Sequence, residues 1–298
     1  MSDQSPPPTF ILGAARSGTS LLYKALCLHP DAAYFNNWMR RMPRRPALSV
    51  TNRVARHTPR TRRRVWFGSD FNAYVYARSR TLAERLYPMP VEGEPVFAAC
   101  GIGEGSGAPS SQQIRALRRA VAGAVRWGGG THFINKRVAN NRRVELLAQA
   151  FPRARFVDLT RDGRAVALSL SRVDWWEGSI VWWYGGTPRA WREGGGDPWE
   201  LCARNWVEEV RAIGAGLSAV AADRVLHLTY EGFIAAPRDT VRRIAGFIGM
   251  AEDRHWLAAV DSLAFPNRNR SWADQLSPES LAAIETVQEA ELKLRGYR

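Results

Sequence analysis

The sequence predicts an α/β fold, with one domain whose central, mostly parallel sheet carries helices on both faces. Four segments have the apolar or alternating pattern of strands: 10–13, 132–135, 155–160 and 225–230. Three further segments have apolar residues at helical spacing: 17–28, 142–150 and 238–248. Strands that alternate with helices are typical of a parallel sheet covered on both sides. At 298 residues, 45% of them hydrophobic, the chain can form one large core, and no Ser/Gly-rich linker divides it.

The charge of the chain favours anionic partners. It carries 42 basic and 28 acidic side chains, a net charge of +14. Such a surplus suits a nucleotide, a sulfated sugar, an anionic lipid or a nucleic acid. We consider nucleic acid the weakest of these, because the sequence has no helix-turn-helix, zinc-finger or aromatic RNA-binding pattern.

Ten of the arginines, and no acidic residue, fall in the segment 40–64. Its prolines predict a basic insertion that is irregular or only partly helical. The insertion is interpreted either as a solvated face or as a guide for an anionic acceptor or a membrane surface.

The ends of the chain and its cysteines indicate the compartment. Residues 1–8 are polar and rich in proline, so we expect a disordered tail without a signal sequence. No apolar run is long enough to span a membrane. Cys27, Cys100 and Cys202 lie too far apart for a zinc ribbon and do not suggest a disulfide framework. These features favour a cytoplasmic protein.

A glycine-containing loop, residues 13–20, lies between the first predicted strand and the first predicted helix. Backbone N–H groups at a helix N-terminus point towards an anion, and the helix dipole adds about half a positive charge there. The spacing resembles the nucleotide P-loop, but Thr19 stands where that motif needs lysine, and Arg16 supplies a cation instead. The alternative interpretation is a helix cap without a ligand.

A second turn follows the strand 155–160. Arg161 stands at the strand's carboxyl end, where open α/β sheets bind ligands, and Ser169 lies two helical turns later. An arginine and a hydroxyl together suit one further phosphate group. Taken alone, the same residues are better interpreted as a solvated arginine in a turn and a solvated serine on a helix.

Together these segments resemble the PAPS-dependent sulfotransferase family, whose sulfate donor is 3′-phosphoadenosine 5′-phosphosulfate (PAPS). The resemblance rests on GAARSGTSLL at 13–22, on the stretch 135–172 that contains RDGRAVALSLSR, on LTYEGFIAAPRDTVRRIAGFIG at 228–249 and on RNRSWADQLSPESLAAIE at 268–285. The RDG turn is closer to the Golgi-like and bacterial carbohydrate or protein sulfotransferases than to the small cytosolic phenol type. Without an anchor or signal segment, the resemblance implies a bacterial-like cytoplasmic enzyme.

The resemblance also implies roles for individual residues. The 5′-phosphosulfate would be held by Arg16, Ser17, Gly18, Thr19 and Ser20. The 3′-phosphate would be held by Arg161 and Ser169, and Arg270 would close over the nucleotide from the segment 268–272. Lys136 and Arg16 would stabilise charge on the leaving oxygen during in-line transfer to a hydroxyl or amine. No metal is expected, because these fixed cations neutralise the charge.

The general base is where the sequence departs from one branch of the family. That branch has an acidic residue near positions 33–38, where this chain has Asn36 and Asn37. We take Glu92 as the base, because similar bacterial sequences carry a Pro-x-Glu there. A solvated loop carboxylate is the other interpretation of Glu92. The alternative bases are Glu94, Asp70, Glu104 and His132.

The segment 174–198 is rich in tryptophan and glycine and is predicted to form a mobile acceptor loop. At least half of its large aromatic rings are expected to fill the core. The expected acceptor is a small molecule, a glycan or a lipid, anionic ones included.

Two other functions compete with sulfuryl transfer. A P-loop kinase or NTPase is disfavoured by Thr19 and by the lack of a clear metal-holding acid. A non-catalytic nucleotide-binding or polyanion-binding protein of the same fold stays open because of Asn36 and Asn37.

Overall fold

The computed structural model describes residues 5–68, 81–103, 108–265, 267 and 270–297. Its centre is a five-stranded sheet with the strand order β2-β3-β1-β4-β5. The strands are β1 (Thr9–Leu12), β2 (Ala32–Ala33), β3 (His132–Lys136), β4 (Arg155–Thr160) and β5 (Val225–Thr229). All four strand pairs of this sheet are parallel, so all five strands end at the same edge. The predicted single α/β domain is confirmed.

The helices surround this sheet. The described residues form sixteen α-helices: α1 (Thr19–Cys27), α2 (Asn37–Arg41), α3 (Asn52–His57), α4 (Pro59–Phe67), α5 (Leu82–Leu86), α6 (Glu94–Ala99), α7 (Ser111–Gly128), α8 (Val144–Ala150), α9 (Gly163–Leu170), α10 (Pro188–Glu193), α11 (Pro198–Leu217), α12 (Tyr230–Ala235), α13 (Pro237–Ile248), α14 (Arg254–Asp261), α15 (Ser271–Gln275) and α16 (Pro278–Leu294). Short 3₁₀ helices span Pro46–Thr51, Val138–Arg142, Trp176–Gly178 and Ala222–Arg224.

The core lies on both faces of the sheet, because successive strand residues point to opposite sides. Ile11 and Val157 pack on one face with residues of α1, α13 and α14. Phe10 and Phe156 pack on the other face with residues of α7 and α8. These four side chains are almost completely buried. Helices on both faces explain why consecutive residues of these strands, Phe10 with Ile11 and Phe156 with Val157, are apolar.

Strand register aligns the ends of the central strands. Ile11 of β1 lies opposite Lys136 of β3, and Leu12 lies opposite Asp158 of β4. The loop that follows β1, the last residue of β3 and the turn that follows β4 therefore meet at one edge. This edge carries the candidate site.

The basic segment 40–64 is more regular than its prolines suggested. It contains the end of α2, a 3₁₀ helix, α3 and most of α4. Pro46 and Pro59 stand at the start of their helices. Proline is tolerated there because the first N–H groups of a helix have no intrahelical acceptor.

The segment 174–198 also has local structure, since it includes a 3₁₀ helix and α10. At the amino end of the chain, Pro8 is buried and its carbonyl accepts a hydrogen bond from the Arg155 N–H at 3.0 Å. The chain is thus already fixed at the last residue of the predicted tail, while residues 1–4 lie outside the described residues. No helix in the described ranges has the length and apolar character that a membrane crossing requires.

Candidate active site

The loop between β1 and α1 has a backbone that depends on its glycines. Gly13 has φ +150° and Gly18 has φ +82°. A Cβ at Gly13 would lie 2.6 Å from the Leu159 carbonyl oxygen, and one at Gly18 would lie 2.3 Å from the Tyr230 ring. Arg16 also has a positive φ, of 71°, which for a residue other than glycine costs about 1–3 kcal/mol and is found mainly at ligand sites.

The same loop buries a hydroxyl that has no partner. Ser17 is 1% exposed, and its Oγ forms no hydrogen bond with any described residue. An unsatisfied buried polar group costs about 1–3 kcal/mol, so native structures rarely keep one without a function. The Ser17 hydroxyl is therefore suited to bind a ligand oxygen.

The turn after β4 lies against this loop. The Arg161 Nη1 donates to the Arg16 carbonyl oxygen at 2.9 Å, and the Arg16 Nε donates to the Ser169 Oγ at 3.0 Å. Arg161 is buried, and this burial lowers its pKa, although Glu231 and Asp162 favour its charged form. The structure therefore brings Arg16, Arg161 and Ser169 into one cleft.

Tyr230 joins the two loops and was not singled out from the sequence. Its ring lies under the Arg161 guanidinium, 4.4 Å from ring centre to Cζ, and against Gly18. A cation over an aromatic face is stabilised electrostatically. The signal that could have found it is its position directly after β5, at the same edge as the two loops.

An ion-paired carboxylate stands at the end of β3. The Lys136 Nζ lies 2.5 Å from one Glu92 carboxylate oxygen, and the Arg137 Nη1 lies 2.7 Å from the other. Burial raises the pKa of Glu92, but the two cations outweigh burial and hold that pKa below its ordinary value. Lys136 itself is almost fully buried. The predicted lysine and the predicted base are thus direct partners.

Two alternative bases have other roles. Glu94 accepts two hydrogen bonds from Arg143, at 2.9 and 2.7 Å, and one from Arg137. His132 begins β3, so it lies at the opposite edge of the sheet, where its Nε2 contacts the Gly249 carbonyl oxygen. Its candidacy as the base is wrong on position. Asp70 and Glu104 lie outside the described residues.

Asn36 and Asn37 hold the local fold together. The Asn36 Oδ1 accepts the N–H groups of Trp38 and Met39 and so caps α2. The Asn37 side chain binds the carbonyls of Arg85 and Tyr87 and the Met89 N–H. Both side-chain amides donate and accept hydrogen bonds within the local fold, so Asn36 and Asn37 are structural residues in this chain.

A buried network braces the first loop from behind. Asn141 exchanges two hydrogen bonds with the Gly13 backbone, both 3.1 Å long, and donates to Glu209 at 2.6 Å. Burial raises the pKa of Glu209, although Arg142 opposes this shift. Glu209 also accepts from the Trp182 Nε1 at 2.9 Å. No spacing in the sequence signals this network, because its members are far apart in the chain.

The aromatic residues of the segment 174–198 divide into buried and exposed groups. Trp176 is buried, and Trp183 and Trp191 pack partly against the same core cluster. The Trp191 ring contacts Tyr184 edge to face at 5.1 Å. The exposed rings are Trp175, Trp182 and Tyr184.

The remaining predicted residues lie at the border of the cleft. Ser20 is partly exposed on the first turn of α1, and Thr19 is buried beside Gly13. Arg270 is exposed, and its side chain forms no hydrogen bond or ion pair with the described residues. Nearby Trp272 stacks under Arg164 at 4.1 Å, which anchors the following helix α15 to the second turn.

The fold and the cleft define an α/β protein suited to bind an anionic ligand at the carboxyl edge of a parallel sheet. A family model described as the sulfotransferase family matches residues 7–254. The match covers most of the chain, so the protein belongs to the sulfotransferase family. No curated protein matched the sequence.

Solved structures share the fold. Sulfotransferase STF9 from Mycobacterium avium is similar with a TM-score of 0.59 and 16% identity, over 99% of this chain and 78% of its own. The sulfotransferase domain from the curacin biosynthetic pathway has a TM-score of 0.53 and 14% identity, over 98% of both chains. Sulfotransferase STF1 from Mycobacterium tuberculosis has a TM-score of 0.53 and 15% identity, over 96% of this chain and 76% of its own.

Proposed function

We propose that the protein transfers a sulfuryl group from PAPS to a hydroxyl or amine of a small-molecule, glycan or lipid acceptor. The proposal rests above all on the meeting of Arg16, Ser17, Arg161 and Ser169 in one cleft. Two arginine-bearing turns suit a ligand with two separate anionic groups. Family membership favours sulfuryl transfer over the phosphoryl transfer of a kinase.

The residues of the cleft fit the donor. The backbone N–H groups of the first loop and the unpartnered Ser17 hydroxyl would hold the 5′-phosphosulfate. Arg161 and Ser169 would hold the 3′-phosphate, and Tyr230 keeps the Arg161 guanidinium in position. The strained backbone at Arg16 fits a loop shaped to surround an anion.

The reaction forms a bond between the acceptor oxygen or nitrogen and sulfur, while the bond from sulfur to the bridging oxygen breaks and adenosine 3′,5′-bisphosphate leaves. Lys136 and Arg16 stabilise the negative charge that grows on the bridging oxygen. Glu92 takes the proton of the acceptor group. The lowered pKa of Glu92 means that its carboxylate is ionised at neutral pH.

The acceptor would bind on the side of the Trp182 and Tyr184 rings. Both rings are partly exposed, and both belong to the segment 174–198 that was predicted to form the acceptor loop. Exposed aromatic rings provide flat apolar surface for a sugar face or another ring.

A transfer assay tests this function. The protein is incubated with PAPS carrying labelled sulfate and with a panel of alcohols, amines, glycans and lipid extracts, and the released adenosine 3′,5′-bisphosphate is measured in parallel. We expect labelled product and bisphosphate in equal amounts, without added magnesium, and much slower formation of both by the Lys136→Ala variant. Magnesium-dependent phosphate release from ATP would contradict the proposal. Donor binding without consumption over the whole panel would support the non-catalytic alternative instead.

A further inference from the structure

A second surface of the molecule combines exposed arginines with exposed apolar side chains. It is formed by α2, the 3₁₀ helix after it, α3, α4, α5 and the end of α7, and we call it the basic–apolar surface. Its exposed arginines are Arg40, Arg41, Arg44, Arg45, Arg53, Arg60, Arg64 and Arg85. Its exposed apolar residues are Met42, Val50, Val54, Leu82, Leu86 and Trp127.

Hydrogen bonds join the elements of this surface to one another. The Arg41 Nη2 donates to the Arg85 carbonyl and the Trp38 Nε1 to the Leu86 carbonyl, which ties α2 to α5. The Arg53 Nε donates to the Trp127 carbonyl at 3.2 Å, which ties α3 to the end of α7. These bonds place α2 beside α5 and α3 beside the end of α7.

The charge on this surface is unbalanced. Between Asp31 and Glu84 the only acidic residue in the sequence is Asp70. Arg40, Arg44, Arg45, Arg60 and Arg64 form no ion pair with any residue that the structure describes. Glu84 turns back to cap its own helix by accepting the Thr81 N–H. These cations are thus available to external anions.

The apolar side chains separate this surface from an ordinary solvated basic face. Val50 is 45% exposed and Val54 is 53% exposed, one helical turn apart. Leu82 is 72% exposed, and Leu86 lies one turn after it on the same side of α5. A nucleic-acid backbone would use the arginines but would leave these apolar groups in water. The headgroup region of a bilayer takes up both kinds of side chain.

We propose that the basic–apolar surface binds the face of an anionic phospholipid bilayer. The arginines attract the negative headgroups, and the apolar side chains enter the boundary between headgroups and acyl chains. The protein lies on the bilayer and does not cross it.

The basic–apolar surface is joined to the candidate site by a short segment of the chain. The chain leaves α5 at Leu86 and reaches Glu92 six residues later. Along that path Met89 and Val91 are bound to the backbone of Asn37 and Phe35. The basic–apolar surface and the Glu92–Lys136 pair are thus linked by one short segment whose backbone is hydrogen-bonded to its neighbours. The binding itself does not depend on the proposed transfer reaction, and its test measures binding alone.

Sedimentation with vesicles tests the proposal. The full chain is mixed with vesicles of phosphatidylcholine alone or of phosphatidylcholine with phosphatidylglycerol, at low and at physiological salt. We expect binding only to the vesicles that contain phosphatidylglycerol, weakened by salt. The triple variant Arg40→Gln, Arg44→Gln, Arg45→Gln should bind much more weakly, by roughly fivefold for each arginine removed. The double variant Val50→Ser, Val54→Ser should also bind more weakly at unchanged charge.

Matched controls change the same residue types elsewhere. Arg115→Gln, Arg243→Gln and Arg254→Gln remove three exposed arginines that do not belong to the basic–apolar surface, and Ile180→Ser with Leu294→Ser removes two exposed apolar side chains. Both controls should bind as the wild type does. Hydrogen exchange of the wild-type protein should also slow across residues 40–67 when vesicles are added. This measurement needs no variant, so it does not depend on whether a variant folds.

Three results would overturn the proposal. The first is no binding to vesicles that contain phosphatidylglycerol. The second is equal weakening by the triple variant and by its control. The third is binding to a single-stranded oligonucleotide but not to vesicles, which would assign the surface to nucleic acid.

Discussion

The proposed donor side and the proposed acceptor side of the candidate site are built differently. On the donor side, Gly13, Ser17 and Arg161 are buried, and hydrogen bonds run between the two loops and to Asn141 behind them. On the acceptor side, Trp182 and Tyr184 are partly exposed, and a Cβ at Gly185 or Gly195 would meet nothing within 4 Å.

This difference indicates that the groups that bind the donor must be held rigidly, whereas those that bind the acceptor can vary in position. A donor with charged groups at set positions requires donors and cations held in advance, because preorganised groups need no rearrangement during the reaction. An acceptor that is recognised by flat apolar rings requires less precision. In the proposed function, changes on the donor side should therefore reduce the rate strongly, whereas changes on the acceptor side should alter acceptor preference.

The largest expected effect comes from Glu92. Glu92→Gln should lower kcat by about 10²- to 10⁴-fold, because the variant cannot take the acceptor proton. Wild-type activity should persist above the lowered pKa of Glu92 and fall as pH drops through it, because the carboxylate is then protonated. A pH–rate profile measures this limb, which should be absent in the variant. If the variant keeps the wild-type profile, Glu92 is not the base.

A loss of about 10²- to 10³-fold in kcat is expected for Lys136→Ala, because the variant lacks a cation at the leaving oxygen. Calorimetric affinity for adenosine 3′,5′-bisphosphate should change much less. Lys136→Arg is the control and should recover part of the rate. Unchanged turnover in the alanine variant would remove Lys136 from the mechanism.

Smaller and more selective effects are expected on the acceptor side. Tyr184→Ala should raise the KM for the acceptor by roughly fivefold to tenfold, in line with the energy of about 1 kcal/mol of one aromatic contact. Affinity for the donor should stay the same, since the Tyr184 ring packs against Trp183 and Trp191 of its own segment. Steady-state kinetics with both substrates separate the two constants. A matching loss of donor affinity would show that the two sides are not independent.

The stability that Glu94 contributes through its ion pairs with Arg143 and Arg137 should be lost in acid. Burial raises the pKa of Glu94, but Arg143 and Arg137 outweigh burial and lower it. A lowered pKa adds stability that is present above the unfolded-state pKa and is lost as pH falls through the folded-state pKa. Glu94→Gln should thus lower the free energy of unfolding by about 1–3 kcal/mol at pH 7, with the difference shrinking below about pH 4. Urea unfolding at several pH values measures it, and a difference that stays constant into acid would contradict this origin.

The sequence supplied the parts of the donor side that are local. The strand, loop and helix around Gly18 and the turn at Arg161 are each continuous in the chain, and parallel strands place their carboxyl ends together. Asn141 and Glu209 were missed because they reach the loops only through folding. Tyr230 was missed although it directly follows β5 at the same edge. His132 was misplaced as a base, because its position at the start of a strand puts it at the wrong edge.

The helical content of the basic segment 40–64 was underestimated from the sequence. Pro46 and Pro59 interrupt the sequence pattern, but each begins a helix. The structure then reveals which side chains stay exposed, and the sequence pattern does not. The exposure of Val54 and Leu82 on a surface whose Arg44 and Arg45 form no ion pair with the described residues distinguishes it from a solvated face.

The central claim is that the two arginine-bearing turns bind opposite ends of one donor molecule. Calorimetry tests it with adenosine 3′,5′-bisphosphate and adenosine 5′-phosphate, each titrated into the wild type, into Arg161→Ala and into the exposed control Arg115→Ala. In the wild type and the control, removing the 3′-phosphate should weaken binding by roughly tenfold to a hundredfold, as expected for charged hydrogen bonds. In Arg161→Ala the two nucleotides should bind almost equally. If Arg161→Ala weakens both nucleotides by the same factor, Arg161 does not hold the 3′-phosphate and the claim is wrong.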